Sequence, residues 1–540
     1  MPGRGAPVRA ASLSQTVRKP AVVSRTGIVA AQHRGAAEIG AHVLEAGGDA
    51  VDAAVATSFA LGVLEPWMSG PAGGGLMMIW RAEEEKAYAV EYGMRSPAAL
   101  DPADYPLAPA GRASDLFPWK AVVGDRNVEG ATAVAVPGTV DGVGLAHERF
   151  GRMPWRELLQ PAAGLAREGF ELDWYAALMI ASATRSLARD PDAAALFLED
   201  GRWPPVAAAS DGPPKRIRNA AMAATIDRLA EKGHREFHEG ELAEALASDV
   251  RSKGGSLSFD DLRAYRATLS PVARVPYRNG GFYPAPGLTA GPTLAAVFRS
   301  LAGRTGFPRA GLGPEGYAAY ADAIGDAYLE RLATMGDRDA PHSPSCTTHF
   351  SVVDRRGNMV AMTQTLLSVF GARVVSPTTG LLLNNGIMWF DPEPGHPNSL
   401  APGKRCLMNV CPMIGEVGDG RFAIGASGGR RILPAIAQIA SFLMDHGMSL
   451  EEAFHQPRID VSGGPAPVAD DSLPADTLTA LAASHGATTA RRSVYPLAFA
   501  CPVGVMRRDG INLAATEVMS PWADAVAERA GTRSPEEERP

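Results

Sequence analysis

The sequence predicts an α+β protein, helix-rich over its first two-thirds and opened by strands in its last third. Three observations predict it. The stretch DAVDAAVATSFALGVLEP, residues 49–66, is nearly all apolar, and a helix apolar all round must lie inside a layered core. From Thr347 the pattern turns to period-two alternation rich in Val, Met and Thr, which is strand patterning. Between these regimes lies PHSPSC, residues 341–346, a loose, proline-broken seam.

The elements follow in order. IVAAQH, from Ile28, is a short strand. GAAEIGAHVLEAGG is a helix stopped by its glycines, and the apolar helix after it is capped by Asp49 and ended at Pro66. The glycine run GGGLMMIW precedes strand-like AYAVEYGM. AVAVPGTVDGVGLAHERFG leads into helical LLQPAAGLAREGF, and residues 180–270 are mainly helical. A last helix, Asp322 to Leu332, precedes the seam. Beyond it RFAIGASGG and YPLAFACPVGVMRR are strands, ILPAIAQIASFLMDHG is a helix, and the tail TRSPEEERP frays. There are no 20–50-residue repeats and no heptads.

With 540 residues, 46% apolar and 21% charged, the chain has the composition of a soluble globular protein with a large core. No uncharged apolar run is long enough for a membrane span. The net charge of −7 leaves no domain-sized basic face for nucleic acid. Cys346, Cys406, Cys411 and Cys501 form neither a disulfide framework nor a metal pattern, which favours a reducing, cytoplasmic setting. The first 26 residues carry five basic side chains and no acidic one, without the apolar core of a secretory signal. Residues 1–27 are therefore expected to be a disordered basic arm, with an organelle transit peptide as the alternative.

The chemistry concentrates in CTTHFSVVDRRGNMVAMTQTL, Cys346 to Leu366, which reads as strand, turn, strand. A five-residue loop, Asp354 to Asn358, pairs Val353 with Met359 and puts Thr347 opposite Thr365. A four-residue loop puts Thr348 there instead, because a one-residue slip reverses every side chain. In either register two hydroxyls meet. A threonine hydroxyl is a poor nucleophile without a base. Cleavage between Cys346 and Thr347 would supply one, the α-amine of Thr347 itself, with a pKa of about 7.7–8.0. The hydroxyl could make that cut by attacking the Cys346 carbonyl in an N-to-O acyl shift. The same residues also fit an ordinary β-branched strand. In GASGGRRI, residues 425–432, Gly428 and Gly429 could bring their amides to a reacting carbonyl as an oxyanion hole. A plain turn before the helix from Ile432 fits them too.

Two other motifs carry less. HREFH, His234 to His238, has its histidines one helical turn apart, but its glutamate stands third rather than second, and no third metal ligand is signalled. The GGG at 73–75 lacks the lysine of a phosphate loop and fits close packing.

Taken together, TTHFSVVDRRGNMVAMTQTL, FGARVVSPTTGLLLNN, KRCLMNVCPMI and GASGGRRI resemble the γ-glutamyltransferase family of N-terminal-nucleophile hydrolases. EAGGDAVDAAVATSFALGVLEP, GGGLMMI, AVAVPGTVDG and LQPAAGLAREGF resemble it in the same order, so the likeness runs from about Ile28 to about residue 515. The resemblance implies a four-layer αββα sandwich made by two fragments of one precursor, 28–346 and 347–540, which stay associated after self-cleavage. It implies Thr347 as nucleophile, Thr365 as the hydroxyl that orients it, Gly428 and Gly429 as oxyanion donors, and Asn385 in the substrate pocket. It implies no cofactor and no metal.

Against that resemblance the head-group residues depart. The family's arginine for the substrate α-carboxylate falls on Gly93, an asparagine falls on Leu367, and the glutamine and aspartate for the α-amine fall on Gly386 and Trp389. The paired serines fall on Met408 and Asn409, and HPNSLAPGKR is shorter than in members with a lid. Losing two or three charge-assisted hydrogen bonds of about 1.5–3 kcal/mol each weakens a γ-glutamyl head roughly a thousandfold or more. Arg95, on the same strand face as Gly93, Arg373 and Arg430 are candidate replacement cations, and Trp389 and Asn409 candidate pocket residues.

The expected function is hydrolysis of a small acyl or γ-glutamyl-like amide through an acyl-enzyme, with water, or secondarily an amine, as acceptor. A γ-glutamyltransferase or glutathione hydrolase with a rebuilt pocket, an oxamate amidohydrolase, a cephalosporin or glutaryl acylase, and an uncleaved scaffold without activity are the alternatives. Assembly as a homodimer is left open.

Overall fold

Alternating side chains along each central strand face two different cores, and this division sets the architecture. The computed structural model describes residues 17–112, 119–206, 214–307, 311–335, 347–462, 464, 466–495 and 498–529. The strands of its two main sheets are, in chain order, β1 (Val22–Ser24), β2 (Ile28–Ala31), β3 (Gly74–Arg81), β4 (Lys86–Tyr92), β5 (Thr268–Val272), β6 (Val275–Tyr277), β7 (Gly280–Pro284), β8 (Thr348–Val353), β9 (Met359–Thr365), β10 (Met413–Val417), β11 (Gly420–Ser427), β12 (Cys501–Arg508), β13 (Ile511–Thr516) and β14 (Asp524–Ala527). One seven-stranded sheet has the order β14-β2-β8-β9-β3-β4-β5 and the other β1-β13-β12-β11-β10-β7-β6. Every pairing within them is antiparallel.

On β3, Leu76, Met78 and Trp80 enter the core between the sheets, while Met77 and Ile79 enter the core under the helices. The helices α1 (Arg34–Glu45), α2 (Ala50–Leu64), α3 (Trp155–Glu168) and α4 (Ala220–Lys232) cover the first sheet. The second is covered by α5 (Gly291–Gly303), α6 (Pro314–Thr334) and α7 (Ile432–Met444). The result is the four-layer αββα sandwich. All residues of α2 are buried, as its uniformly apolar sequence requires; Asp49 caps it in a capping box with Asp52.

Both sheets draw strands from both sides of Thr347. β8 and β9 sit at the centre of a sheet otherwise made mostly from the first part, and β6 and β7 complete a sheet made mostly from the last. Two pieces divided at Thr347 would therefore share both sheets and the core between them.

The structure corrects several expectations. The basic arm is shorter than 1–27, because β1 pairs with β13 through Val22↔Ala514 and the Ala21 amide donates to Glu451. Residues 1–16, and the seam with Cys346, lie outside the described residues. The helix expected from Asp322 begins at Pro314, a residue suited to a first helical turn. The late strand begins only at Cys501, because Ala500 has φ +61°. Arg95 is not on a strand with position 93: β4 ends at Tyr92, and Arg95 makes only isolated bridges to Val136 and Arg405.

Candidate active site

The turn between β8 and β9 fixes the register. Asp354 Oδ1 accepts the amides of Arg356 and Asn358 at 2.9 Å each, and Gly357 supplies φ +89°. Val353 pairs with Met359 and Thr348 with Gln364, the five-residue loop rather than the four-residue one. One step further along the ladder, Thr347 faces Thr365, and its Oγ1 donates to Thr365 Oγ1 at 3.4 Å. Thr365 Oγ1 also accepts the Leu367 amide at 2.8 Å.

Alternation then sorts the neighbours. Thr347, His349, Ser351 and Val353 share one face of β8, and Val353 places that face between the sheets. His349 bridges Thr363 Oγ1 at 2.8 Å and Ser351 Oγ at 3.0 Å. Burial pushes its pKa down to about 3, so the ring is neutral. A Cβ on Gly425 would come within 2.3 Å of this ring, so β11 crosses β8 in direct contact.

Thr348 faces the helices. Its hydroxyl donates to Glu65 Oε2 at 3.1 Å and Gln32 Oε1 at 3.2 Å. Gln32 Nε2 donates onward to Ser427 Oγ at 2.7 Å and the Cys501 carbonyl at 2.9 Å. One glutamine thus ties the neighbour of Thr347 to the neighbour of Gly428. Burial raises the Glu65 carboxyl to about 7, against the opposing hydrogen bond from Thr348. Sequence reasoning missed Glu65, Gln32 and Ser427; the available signal was a polar residue closing each of three otherwise apolar stretches.

The glycine pair is required by geometry. Gly428 has φ +129° and Gly429 φ +57°, and a Cβ on Gly428 would lie 2.9 Å from Ala500 Cα. The turn carries the backbone from β11 into α7. Glycines 73–75 serve close packing: a Cβ on Gly73 or Gly75 would meet the carbonyl of Thr365 or Thr363 at 2.4 or 2.1 Å.

The loop after β9 is strained. Leu367, Phe370 and Arg373 have φ of +86°, +61° and +59°. Asn385 holds it: its amide nitrogen donates to Ser368 Oγ at 2.8 Å and the Val128 carbonyl at 2.9 Å, and its oxygen accepts the Ser368 amide at 3.0 Å. Asn385 thus positions the loop beneath Thr365. Trp389 is buried in the core between the sheets with Met388 and Met408. Arg373 Nη1 donates to the carbonyls of Val128 and Gly371. Arg95 is half-buried beside Arg405. At Gly93 an added Cβ would lie 2.8 Å from Met408 Cε, so Met408 fills the space a longer residue would need. Asn409 Oδ1 accepts from Arg331 at 3.4 Å.

His238 is buried, stacked on Tyr265 and bonded to the Pro137 carbonyl at 3.2 Å, and no cluster of metal-binding side chains occurs among the described residues. No helix among the described residues is long and apolar enough to cross a membrane.

The arrangement joins a hydroxyl at the start of a central strand, a second hydroxyl beside it and a glycine turn tied to the same strand end. The gamma-glutamyltranspeptidase family model matches residues 36–346 and 340–516. An "Acylase ACY 1 proenzyme" of Pseudomonas sp. (strain V22) is 34% identical over 86% of this chain and 88% of its own length. A "Glutathione hydrolase proenzyme" of Pseudomonas sp. (strain A14) is 30% identical over 80% of each. The solved cephalosporin acylase from Bacillus halodurans shares the fold, with a TM-score of 0.82 at 23% identity over 96% of this chain and 99% of that one. The chain therefore belongs to the γ-glutamyltranspeptidase family and is an amide-bond hydrolase of the N-terminal-nucleophile type.

Proposed function

We propose that this protein is a self-processing N-terminal-threonine amidohydrolase whose acyl group is not the zwitterionic γ-glutamyl head. Thr347 Oγ attacks the Cys346 carbonyl, the peptide becomes an ester, and water cleaves it. This releases a Cys346 carboxylate and the Thr347 α-amine. In each later turnover that amine takes the hydroxyl proton, and Oγ attacks the substrate carbonyl. The amides of Gly428 and Gly429 receive the developing oxyanion, the substrate amine departs with the proton, and water releases the acid. Thr365 orients the attacking oxygen. The two fragments remain associated, and water is the main acceptor, an amine the secondary one.

The single observation that carries the reading is the Thr347–Thr365 hydroxyl pair at 3.4 Å, set by the hairpin register. The substrate reading rests on Gly93, which itself carries no cation for an α-carboxylate and whose neighbourhood Met408 occupies. The 34% identity to a relative named as an acylase supports it. Glutathione hydrolysis is the second reading, supported by the relative of that name at 30%. Turnover of γ-glutamyl anilide, oxamate and glutaryl anilide by wild type and Thr347→Ala separates these. We expect glutaryl anilide to exceed γ-glutamyl anilide and Thr347→Ala to turn over neither. A clear preference for γ-glutamyl anilide would sink the substrate reading.

A further inference from the structure

The ladder that holds β8 to β2 stops short of the nucleophile. Its last pair is Phe350↔Ala31, and Thr347, Thr348 and His349 lie beyond it. Gln32, the residue after Ala31, takes over with its buried side chain. Its nitrogen donates to Ser427 Oγ at 2.7 Å and to the Cys501 carbonyl at 2.9 Å, and its oxygen meets Thr348 Oγ1 at 3.2 Å. Ser427 and Cys501 are the last pair of the β11–β12 ladder, and Gly428 follows at once. One side chain therefore spans the two sheets, from the residue beside Thr347 to the residue beside Gly428.

The supply of protons fixes the state of this chain. A carbonyl only accepts, so the Gln32 nitrogen faces Cys501 and its oxygen faces Thr348. The Gln32 oxygen also only accepts, so the single hydroxyl proton of Thr348 goes to it. Glu65 Oε2 lies 3.1 Å from the same Thr348 oxygen. It bonds there at the same time only by donating, which requires a proton on the carboxyl. Once ionised, Glu65 takes the Thr348 proton instead, because charge-assisted hydrogen bonds are roughly twice as strong as neutral ones. The Gln32 oxygen then faces another oxygen with no proton between them, and the tether opens.

Burial raises the Glu65 carboxyl to about 7; the Thr348 bond opposes this, and the charge of Asp173, ahead of the helix Trp174–Leu187, adds to it. The Cys501 thiol also interacts with Glu65, and burial keeps it neutral. His33 and Lys19 interact in turn with Asp173 and Cys501. We propose that Glu65, as the protonated acid, and Gln32 are positioning residues: they aim the Thr348 hydroxyl and so hold the strand end carrying Thr347 and the glycine turn at one separation. This deepens the mechanism proposed above and rests on its roles for Thr347 and the glycine turn. Cleavage would sharpen the need, because Thr347 then becomes a chain end whose one covalent link is Thr348.

The test pairs kinetics with an infrared titration. The kinetics use the better of glutaryl anilide and γ-glutamyl anilide, with rates per cleaved chain, from about pH 6 to about pH 9. Across that range the ratio of Glu65→Gln to wild-type kcat should rise about fivefold, since the amide donates to Thr348 at every pH and the acid only below about 7. Glu65→Leu should lose kcat about tenfold with KM within about twofold, and Glu65→Gln should recover most of that loss. In a Gln32→Leu background the same ratio should stay flat with pH. The infrared spectrum of wild type should show a protonated carboxyl stretch that fades as pH rises through about 7 and is missing in Glu65→Gln. A flat ratio in an enzyme that turns over normally would overturn the positioning role and keep the N-terminal-threonine reading. So would a Glu65→Leu loss confined to KM, or the absence of the titrating band. The band in a protein that neither cleaves itself nor hydrolyses either anilide would keep the tether and remove the mechanism it serves.

Discussion

Thr347 Oγ1 donates to Thr365 Oγ1 at 3.4 Å, and Thr365 Oγ1 is itself held by the Leu367 amide at 2.8 Å. The receiving hydroxyl is therefore fixed from behind by a residue in the left-handed region, Leu367 at φ +86°. Strain of this kind, costing on the order of 1–3 kcal/mol, persists where surrounding structure over-determines it. Here Asn385 and the Ser368 amide supply that support.

In the proposed mechanism the Thr365 hydroxyl orients the nucleophile rather than binding substrate, so Thr365→Ala should lower kcat about a hundredfold with little change in KM. Thr365→Ser keeps the oxygen and should lose far less. Steady-state kinetics on both variants checks this; a change confined to KM would contradict it.

Gly428→Ala should abolish turnover out of proportion to its effect on folding. The added Cβ would meet Ala500 Cα at 2.9 Å at φ +129°, displacing the turn proposed to hold the oxyanion. Loss of one such donor costs roughly 10²–10³ in kcat. A variant that keeps its circular dichroism and wild-type kcat would remove the glycine turn from the mechanism.

Gly93→Arg should destabilise the protein by about 1–3 kcal/mol through overpacking, since a Cβ there would lie 2.8 Å from Met408 Cε. Adding Met408→Ser should recover much of that loss. Denaturant melts of the single and double variants measure the coupling; strict additivity would show that Met408 is not what occupies the space.

Two buried groups set opposite pH windows. The Glu65 carboxyl is raised to about 7 from an ordinary 4.5, so the fold favours its protonated form. Stability should fall as pH rises between those values and level off above, and Glu65→Gln should remove the slope. His349 is lowered to about 3 from 6.5, so the fold favours the neutral ring. Its contribution is complete above pH 6.5 and lost as pH falls toward 3, and His349→Asn should flatten that acid limb. Melting temperatures across pH read both.

Much of the layering was legible because local pattern and global layer agree. An all-apolar α2 can lie only between other layers, and the strand change at Thr347 reflects the central strands of a shared sheet. The hairpin register was undetermined until the Asp354 turn fixed it, since two loop lengths satisfy the same alternation. Gln32 and Glu65 were invisible because their partners, Ser427 and Thr348, lie hundreds of residues away. Arg95 reads in sequence as part of a strand that the backbone leaves at Tyr92.

The central claim is that a peptide bond ahead of Thr347 is broken to make the catalytic amine. Intact-mass spectrometry of active enzyme beside Thr347→Ala tests it most directly. The account predicts two chains from wild type, of about 36 and about 20 kDa from the 56.6 kDa precursor, the smaller beginning at Thr347, and one full-length chain from the variant. A fully active wild type that remains a single polypeptide would contradict it.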